Sequence, residues 1–313
     1  MAEIRFRPRP EPTASGSRES QGALIELPPA TCDTLPWRRD GRHWGLMGVL
    51  NLTPDSFYAD SRVEGETPAH EVGRRMAAEG VDVFDVGGES TRPGATPVSA
   101  REEERRVLGV VALLRRAHPA IPVSIDTYKA SVARAAVEAG ATIVNDIAAG
   151  LLDPDMPTAV SELGSIVVLG HLRGTPATMR DAPPYDDVIA DVRRELSERV
   201  EVFLAAGVRE ERIWLDPGIG FGKKADDSRK LLFGLEGLRD LGRPLVIGLS
   251  RKSFLADALA RDGLASAGGD DRLEASIAAA VLAAERGADL IRVHDVGPTR
   301  RALAVLEAGV RAR

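Results

Sequence analysis

Short apolar stretches alternate with segments of helical period along the chain from residue 44 onward. Each stretch has the length of a buried strand, and the segment after it carries apolar residues at the spacing of a helix that packs on a core. In one such segment Val132 and Ala136 share a helical face, and Gly140 ends the pattern. The strands are predicted at 46–50, 81–86, 121–125, 142–146, 165–170, 212–216, 244–249 and 289–293.

Eight strands, each followed by a helix, are the units of a (β/α)8 barrel, the TIM barrel of the α/β class. A doubly wound open sheet is the alternative arrangement of the same units. The even repetition and a last helix over residues 299–310 favour the closed barrel. We therefore predict one barrel domain over residues 43–313.

Residues 1–42 do not share this pattern. They mix proline, arginine, glutamate and serine without periodicity, which is typical of a segment that cannot bury an apolar face. The segment lacks the apolar stretch of a secretory signal, and its glutamates oppose a mitochondrial transit peptide. We predict a disordered, flexible N-terminal extension.

Composition and charge narrow the class of function. Hydrophobic residues make up 43% of the 313 residues and charged residues 28%, which suits a soluble protein with a large core. The net charge of −6 argues against nucleic acid as a partner. Cys32 is the only cysteine, so an internal disulfide or a multi-cysteine metal site is excluded, and we expect a cytoplasmic protein. No apolar run approaches the roughly 20 residues of a membrane span.

Polar side chains follow the apolar runs at the carboxyl ends of the predicted strands. In a TIM barrel these ends meet at one mouth, where the chemistry of such proteins takes place. Any single residue has a structural alternative: Asp126 could cap the next helix, His171 could be a core histidine, and Lys252 could be a solvated loop residue. As a set they predict one polar pocket, formed by Asn51, Asp85, Asp126, Asn145, His171, Asp216, Lys252, Arg292 and His294.

The last predicted strand carries two cationic groups, Arg292 and His294, on the same face because side chains alternate along a strand. Arginine binds phosphate oxygens in a bidentate manner, so this pair is typical of an anion site. The carboxylates and the amide at the other strand ends suit a flat heterocycle that is rich in N–H groups. We therefore expect a ligand with a polar ring and an anionic leaving group.

Eight sequence blocks together resemble the dihydropteroate synthase family. They occur in order over residues 44–310, and residues 1–42 are not covered. The blocks are MGVLNLTPDSF (47–57), DVGGESTRPGA (85–95), VSIDTYKA (123–130), VNDI (144–147), HLRGTPATM (171–179), LDPGIGFGK (215–223), GLSRKSF (248–254) and IRVHDV (291–296).

The resemblance implies a transferase of folate biosynthesis. The family joins 6-hydroxymethyl-7,8-dihydropterin diphosphate to 4-aminobenzoate and releases pyrophosphate and 7,8-dihydropteroate, with magnesium as the usual metal. Substitution at the exocyclic methylene carbon, with carbocation character, is the expected mechanism. The resemblance also implies a homodimer.

The family's site residues are carried over one position at a time. The resemblance implies that the pterin is bound by Asp126, Asn145, Asp216, Lys252 and Arg292. It implies that the diphosphate is bound by Asn51, Arg292 and His294, with Asn51 also contacting magnesium. The implied aminobenzoate residues are Phe57, Thr91, Arg92, Pro93, Phe221 and Ser253. Catalysis is assigned to Asp126, Lys252, Arg292 and His294.

Two other functions remain open at this point. A methyltransferase that acts on methyltetrahydrofolate and a corrinoid protein would share the barrel and the acidic pocket, but it would not need Arg292 and His294. A non-catalytic paralogue would be indicated by loss of that pair. Three departures from the family pattern are Gly170, where members commonly have methionine, Ile219, where they often have a second aromatic residue, and the first loop at 56–62.

Overall fold

Eight parallel strands form the barrel in a computed structural model, which describes residues 35–52, 68–91, 95–264 and 272–312. The strands are β1 (Gly45–Asn51), β2 (Val83–Gly87), β3 (Val123–Asp126), β4 (Ile143–Asp146), β5 (Ile166–Gly170), β6 (Ile213–Asp216), β7 (Val246–Gly248) and β8 (Leu290–Val293). They are ordered β6-β5-β4-β3-β2-β1-β8-β7 in the sheet, and a parallel bridge between Leu215 and Leu245 joins its two edges. The predicted barrel and all eight predicted strands are confirmed.

Helix α1 precedes the first strand, and the other helices follow strands and cover the outside of the barrel. They are α1 (Pro36–Arg39), α2 (Pro68–Ala78), α3 (Ala100–Ala117), α4 (Ala130–Glu138), α5 (Met156–Leu163), α6 (Val188–Ala205), α7 (Ala225–Phe233), α8 (Ser253–Arg261), α9 (Leu273–Glu285) and α10 (Val296–Arg311). Short 3-10 helices lie at Glu210–Arg212 and Leu235–Leu241. The last helix starts three residues before the predicted 299, at Val296.

The alternation of side chains along each strand separates two apolar layers. In β1, Met47 belongs to the cluster inside the barrel, whereas Leu46 and Leu50 belong to the larger cluster between strands and helices. In β2, Val83 faces inward and Phe84 faces the helices in the same way. Because both faces are buried, the strands read as continuous apolar runs until their carboxyl ends, where polar residues begin.

Helix α1 closes the amino-terminal end of the barrel. Trp37 is 1% exposed, lies among the inward-facing residues, and meets the ring of Trp214 edge-on with 6.2 Å between ring centroids. Gly45 makes this possible, because a Cβ atom there would lie 2.5 Å from the Trp37 ring. Next to it, Arg38 binds the buried carboxylate of Asp289 at 2.9 Å.

The predicted N-terminal extension covered residues 1–42. Residues 1–34 lie outside the described residues, and residues 35–42 include α1 and its contacts with the barrel. The chain therefore already packs against the barrel at Leu35, which is fully buried. The domain boundary at residue 42 stays a prediction. Among the helices that the structure describes, none combines the length and apolar character needed to cross a bilayer.

We predict that Trp37→Ala destabilises the protein by about 3–5 kcal/mol, because it empties the base of the barrel. Urea denaturation followed by far-UV circular dichroism measures the change. The control is Val305→Ala, since Val305 is 76% exposed and its truncation should change the free energy of unfolding by less than about 0.5 kcal/mol. Equal, small effects of the two substitutions would show that α1 does not contribute to the barrel's stability.

Candidate active site

The carboxyl-terminal ends of the strands surround a cleft that is open to solvent and has an empty volume of about 380 Å³. Acidic, basic and amide side chains line it together with glycines and two larger apolar residues. The lining residues are Asp126, Asn145, Ile147, Gly170, Asp216, Gly218, Phe221, Gly248, Lys252 and Arg292. All five side chains that the resemblance assigns to the pterin therefore lie in one cleft.

Arg292 is the electrostatic centre of this cleft. Its Nε donates to Oδ2 of Asp85 at 2.6 Å, and its Nη2 donates to Oδ2 of Asp126 at 2.6 Å. Burial lowers the pKa of Arg292, but the two carboxylates more than offset this and raise the pKa above its ordinary value. The guanidinium is therefore a permanent charge that joins β2, β3 and β8.

Asp85 was among the polar strand ends, but the sequence assigned it no role. Besides Arg292, its Oδ2 accepts a long hydrogen bond of 3.4 Å from the amide of Asn145, and its Oδ1 has no hydrogen-bond partner among the described residues. The signal that identifies it is parity: Val83 points into the barrel, so Asp85 two residues later points the same way. Parity therefore predicts an inward carboxylate at Asp85, whereas its pairing with Arg292, on a strand beyond β1, is seen only in the structure.

Asp126 does not cap the following helix, which was its structural alternative. Lys129 is the N-cap residue of α4 and makes no side-chain cap bond, while the carboxylate of Asp126 is bound to Arg292. Burial raises the pKa of Asp126 to about 7; Arg292 opposes this rise and Asp85 adds to it. Asp126 therefore titrates close to neutral pH.

Asp216 and Lys252 form the second charged group of the cleft. Oδ1 of Asp216 accepts from the backbone N–H of Gly218 at 2.7 Å, and burial raises the pKa of Asp216 against the effect of Lys252. Burial likewise lowers the pKa of Lys252 to about 8, and its Nζ lies 3.9 Å from the centre of the Phe221 ring. Lys252 is thus a cleft residue rather than a solvated loop residue.

The backbone before Lys252 has an unusual conformation. Arg251 has a φ of 61°, in the left-handed region that residues other than glycine rarely adopt. Its N–H donates to Oγ of Ser276 at 3.0 Å, and its carbonyl accepts from Arg272 at 2.9 Å. Strain of this kind persists only where surrounding contacts enforce it, and it is concentrated at functional sites.

His294 follows the last residue of β8 and lies at the mouth of the barrel, outside the residues that line the cleft. Its backbone N–H donates to Oγ of Ser250 at 3.3 Å, and its Nδ1 lies 3.0 Å from the same atom. The hydroxyl of Ser250 therefore orients the imidazole at the ends of β7 and β8.

Asn51 ends β1 and lies opposite Gly87 in the register of β1 and β2. A Cβ atom on Gly87 would lie 3.5 Å from Oδ2 of Asp126 and 3.7 Å from Oδ1 of Asn51. The missing side chain of Gly87 therefore leaves space between these two oxygen atoms.

The residues predicted to contact aminobenzoate are less completely described. Phe57, Arg92 and Pro93 lie outside the described residues, as do the other positions of 53–67 in the loop after β1 and of 92–94 in the loop after β2. Thr91 is half-buried and is the last described residue before the second gap, and Ser253 is exposed at the start of α8. Among the described members of this group, Phe221 is the one that lines the cleft.

A buried ionic network fixes the start of the second loop. The ammonium of Lys129 binds the carboxylates of Glu89 and Glu103, and the hydroxyl of Tyr128 donates to Glu89 at 2.8 Å. Glu89 lies two residues before Thr91, whereas Lys129 lies three residues after Asp126. The network therefore ties the loop after β2 to the loop after β3.

His171 is buried, as expected for the core histidine that the sequence analysis gave as its alternative role. It lies beside the cleft and not among the lining residues. At the adjacent Gly170, a Cβ atom would lie 2.6 Å from the Cα of Ile147, so the loop after β4 packs directly on β5. The backbone of Ile147 therefore occupies the space beside Gly170, and the absence of the methionine side chain that is common in the family leaves no gap there. Ile219 is 1% exposed and packs into the outer core.

Comparison with known proteins identifies the family. A family model described as pterin binding enzyme matches residues 47–294. The dihydropteroate synthase of Escherichia coli strain K12 is 41% identical over 274 residues, which cover 88% of this chain and 94% of the relative. That of Mycobacterium leprae strain TN is 43% identical over 268 residues, which cover 85% and 94% of the two chains.

Solved structures agree with this assignment. The dihydropteroate synthase of Xanthomonas albilineans with 4-aminobenzoic acid has a TM-score of 0.77 and 44% identity, with 87% of this chain and 94% of that chain covered. The same enzyme in complex with 7,8-dihydropteroate has a TM-score of 0.74 and 41% identity, with 87% and 95% covered. The chain belongs to the pterin-binding enzymes and, within them, to the dihydropteroate synthase family.

Proposed function

We propose that this chain is the transferase that joins 6-hydroxymethyl-7,8-dihydropterin diphosphate to 4-aminobenzoate, giving 7,8-dihydropteroate and pyrophosphate for folate biosynthesis. The observation that carries the proposal is the pairing of Arg292 with Asp85 and Asp126 in a cleft that also holds Asp216 and Lys252. The synthases among its relatives, one of them solved with 4-aminobenzoic acid and with 7,8-dihydropteroate, support this reaction over a corrinoid methyltransferase and over a non-catalytic paralogue.

The pterin ring fits the acidic part of the cleft. The ring presents N–H donors along one edge, and carboxylate and amide oxygens of Asp126, Asn145 and Asp216 can accept them. Lys252 supplies a donor for the carbonyl and N5 side of the ring, and its ammonium is held over Phe221. A buried polar site of this kind selects strongly for a ring that satisfies its groups, because unpaired buried polar atoms are costly.

The anionic end of the substrate requires positive charge at the mouth. Arg292 can supply it, since the two carboxylates that hold its Nε and Nη2 leave Nη1 with no hydrogen-bond partner among the described residues. His294, which Ser250 orients, is the second group that we assign to the diphosphate. Both would stabilise the charge that grows on the leaving group as the bond to the methylene carbon breaks.

A magnesium ion fits the same region as a partner of the diphosphate. No cluster of three or more histidine, cysteine, aspartate or glutamate side chains that could hold a metal is found among the described residues. Mg²⁺ commonly takes one or two protein oxygens and completes its shell with water and phosphate oxygens. Oδ1 of Asn51, beside the space that Gly87 leaves, would be the protein ligand. When bound, the ion would neutralise charge on the diphosphate oxygens.

The ionised carboxylate of Asp126 has a defined role in this reaction. As the diphosphate leaves, positive charge develops on the methylene carbon and spreads into the ring, and a nearby carboxylate stabilises it. The aromatic amine of aminobenzoate then attacks the carbon, and the proton that its nitrogen loses passes to the departing pyrophosphate or to water, so no side-chain nucleophile is required. Water must be excluded because it could capture the same carbon, and this is the function we propose for the loops after β1 and β2.

A homodimer and a cytoplasmic location also remain proposals. They rest on the resemblance to the family and on the single cysteine, Cys32. Light scattering of the purified chain would decide the oligomeric state.

We predict that the purified protein releases pyrophosphate only when both substrates and Mg²⁺ are supplied, and that Arg292→Ala lowers turnover by about 100-fold or more. The reason is that a removed stabiliser of developing negative charge typically costs that much in rate. A coupled pyrophosphate assay together with chromatography of the pteroate product measures both quantities.

The matched control for this experiment is Arg116→Ala, because Arg116 is an exposed arginine on the outer helix α3. It should keep the full rate. A native protein that releases no pyrophosphate would overturn the proposed function, whereas an active Arg292→Ala variant would remove only the role of that residue.

A second prediction concerns pH. Since burial raises the pKa of Asp126 to about 7 and the ionised form is required, kcat/KM for the pterin substrate should fall as the pH drops below about 7. Asp85→Asn removes a neighbouring negative charge that raises this pKa, so the midpoint of the acidic limb should move to lower pH. The pH–rate profile of native and variant enzymes measures the shift.

Two further variants complete the pH experiment. Asp126→Asn should abolish the acidic limb and lower turnover far more than it lowers the unfolding midpoint, because Asp85 still pairs with Arg292 and an amide oxygen at position 126 can still accept its N–H. Asp262→Asn alters an exposed carboxylate and should keep the native profile. An acidic limb that persists in Asp126→Asn, or moves to higher pH in Asp85→Asn, would assign the titration to another group.

A further inference from the structure

A buried ammonium group lies directly beside the cleft and has no role in the mechanism above. Lys223 follows the loop after β6 and is 8% exposed. Its Nζ donates to the carbonyl of Gly218 at 2.9 Å and lies 2.9 Å from Nδ1 of His171. The carbonyls of His171 and Phe221 lie at 3.3 Å. Every one of these partners is neutral, so the charge is surrounded by backbone dipoles and an imidazole rather than by a carboxylate.

The hydrogen bonds of Lys223 determine the state of His171. Because Nδ1 accepts from the ammonium, the imidazole is neutral and carries its proton on Nε2, which donates to Oε2 of Glu195 at 2.8 Å. Burial and the charge of Lys223 lower the pKa of His171 to about 4, in agreement with this tautomer. Burial opposes the ionisation of Glu195, but hydrogen bonds from His171 and Arg173 lower the pKa of its carboxyl well below its usual range.

These contacts join two loops that form the cleft wall. His171 begins the loop after β5 and follows Gly170, a lining residue, while Gly218 and Phe221 are lining residues of the loop after β6. Gly218 has a φ of 64°, and a Cβ atom there would lie 2.0 Å from the carbonyl oxygen of His171. The two backbones are therefore in direct contact, and Lys223 holds three carbonyls at this contact.

The position of Phe221 depends on this contact. Its ring lies under the ammonium of Lys252, and its carbonyl is one of the acceptors around Lys223. The N–H of Gly218 binds the carboxylate of Asp216, and its carbonyl accepts from Lys223. The same short loop thus connects the buried lysine to Asp216 directly and, through the ring of Phe221, to Lys252, both of which we assign to the pterin.

We propose that Lys223 is a positioning residue for pterin binding. Resting on the function proposed above, the inference is that its ammonium fixes the loop after β6 against the loop after β5. This contact holds Asp216, and through the Phe221 ring also Lys252, in the geometry that accepts the pterin. Lys223 does not touch the reacting atoms. Its loss should weaken pterin affinity and have a much smaller effect on the chemical step.

The test is Lys223→Met, which keeps much of the side-chain volume and removes both the charge and the donors. Fluorescence titration with 6-hydroxymethylpterin, without the second substrate, gives the Kd. We expect a Kd about 10-fold higher than that of the native protein, with kcat at saturating pterin diphosphate reduced by less than about 3-fold. The matched control is Lys224→Met, an exposed lysine one residue away, which should keep the native Kd.

A purely structural role gives a different result. It would lower the fraction of folded, active protein, so kcat would fall while the Kd of the remaining sites stayed native, and this outcome would overturn the proposal. If Lys223→Met does not fold, Lys223→Gln and Lys223→Arg replace it, and we expect the arginine variant, which keeps a charge and donors, to bind the pterin more tightly than the glutamine variant. Equal Kd values for the two would also overturn the proposal. A native protein that binds no 6-hydroxymethylpterin would instead count against the proposed function.

Discussion

The arginine that Asp85 and Asp126 share is the constraint on which the rest of the cleft depends. A charge at this depth is stable only if it is paired and hydrogen-bonded, and breaking such a pair leaves an uncompensated charge that costs several kcal/mol. The buried or half-buried charges at the mouth include three carboxylates, of Asp85, Asp126 and Asp216, and three cations, of Lys223, Lys252 and Arg292. Because the three negative and three positive groups offset one another, they can stay ionised inside an apolar barrel. It also places the pKa values of Asp126 and Lys252 near neutrality, where a ligand's own charge can change their state.

The barrel supplies the rigidity that this balance requires. Four of these charges, those of Asp85, Asp126, Asp216 and Arg292, lie on strands, so their separation is set by hydrogen-bonded register rather than by loop conformation. Glycines create the necessary space: Gly87 leaves room between Asn51 and Asp126, and at Gly220 a Cβ atom would lie 2.9 Å from the side chain of Lys252. At the opposite end, Trp37 fills the base and completes a packed interior beneath the polar layer. Stability is thus concentrated at the base and binding chemistry at the mouth.

The sequence predicted the parts that follow from periodicity. Strand positions, the closed barrel and the convergence of Asp126, Asn145, Asp216, Lys252 and Arg292 required only alternation and the rule that strand ends meet. What it could not predict was the pairing of side chains from strands far apart in sequence, since pairing depends on register and rotamer. Asp85 therefore received no role although its parity was visible. Lys223 ends the block LDPGIGFGK and received no role, because its bonds to the loop after β5 had no local signal. Trp37 was assigned to the extension because four helical residues are too few to form a periodic pattern.

The loops at the mouth follow a different principle from the strands. A loop cannot take its position from register, and two pairs of described loops beside the cleft are each fixed by a buried cation instead. On one side, Lys129 binds Glu89 and Glu103 and joins the loops after β2 and β3. On another side, Lys223 binds carbonyls and His171 and joins the loops after β5 and β6.

The first cation is paired with carboxylates and therefore holds its loops at any physiological pH. The second cation, Lys223, has only neutral acceptors. Burial lowers the pKa of Lys223 to about 7, so its hydrogen bonds to these acceptors depend on a proton that can be lost near neutral pH. The geometry of the wall that carries Phe221 therefore depends on the protonation state of Lys223.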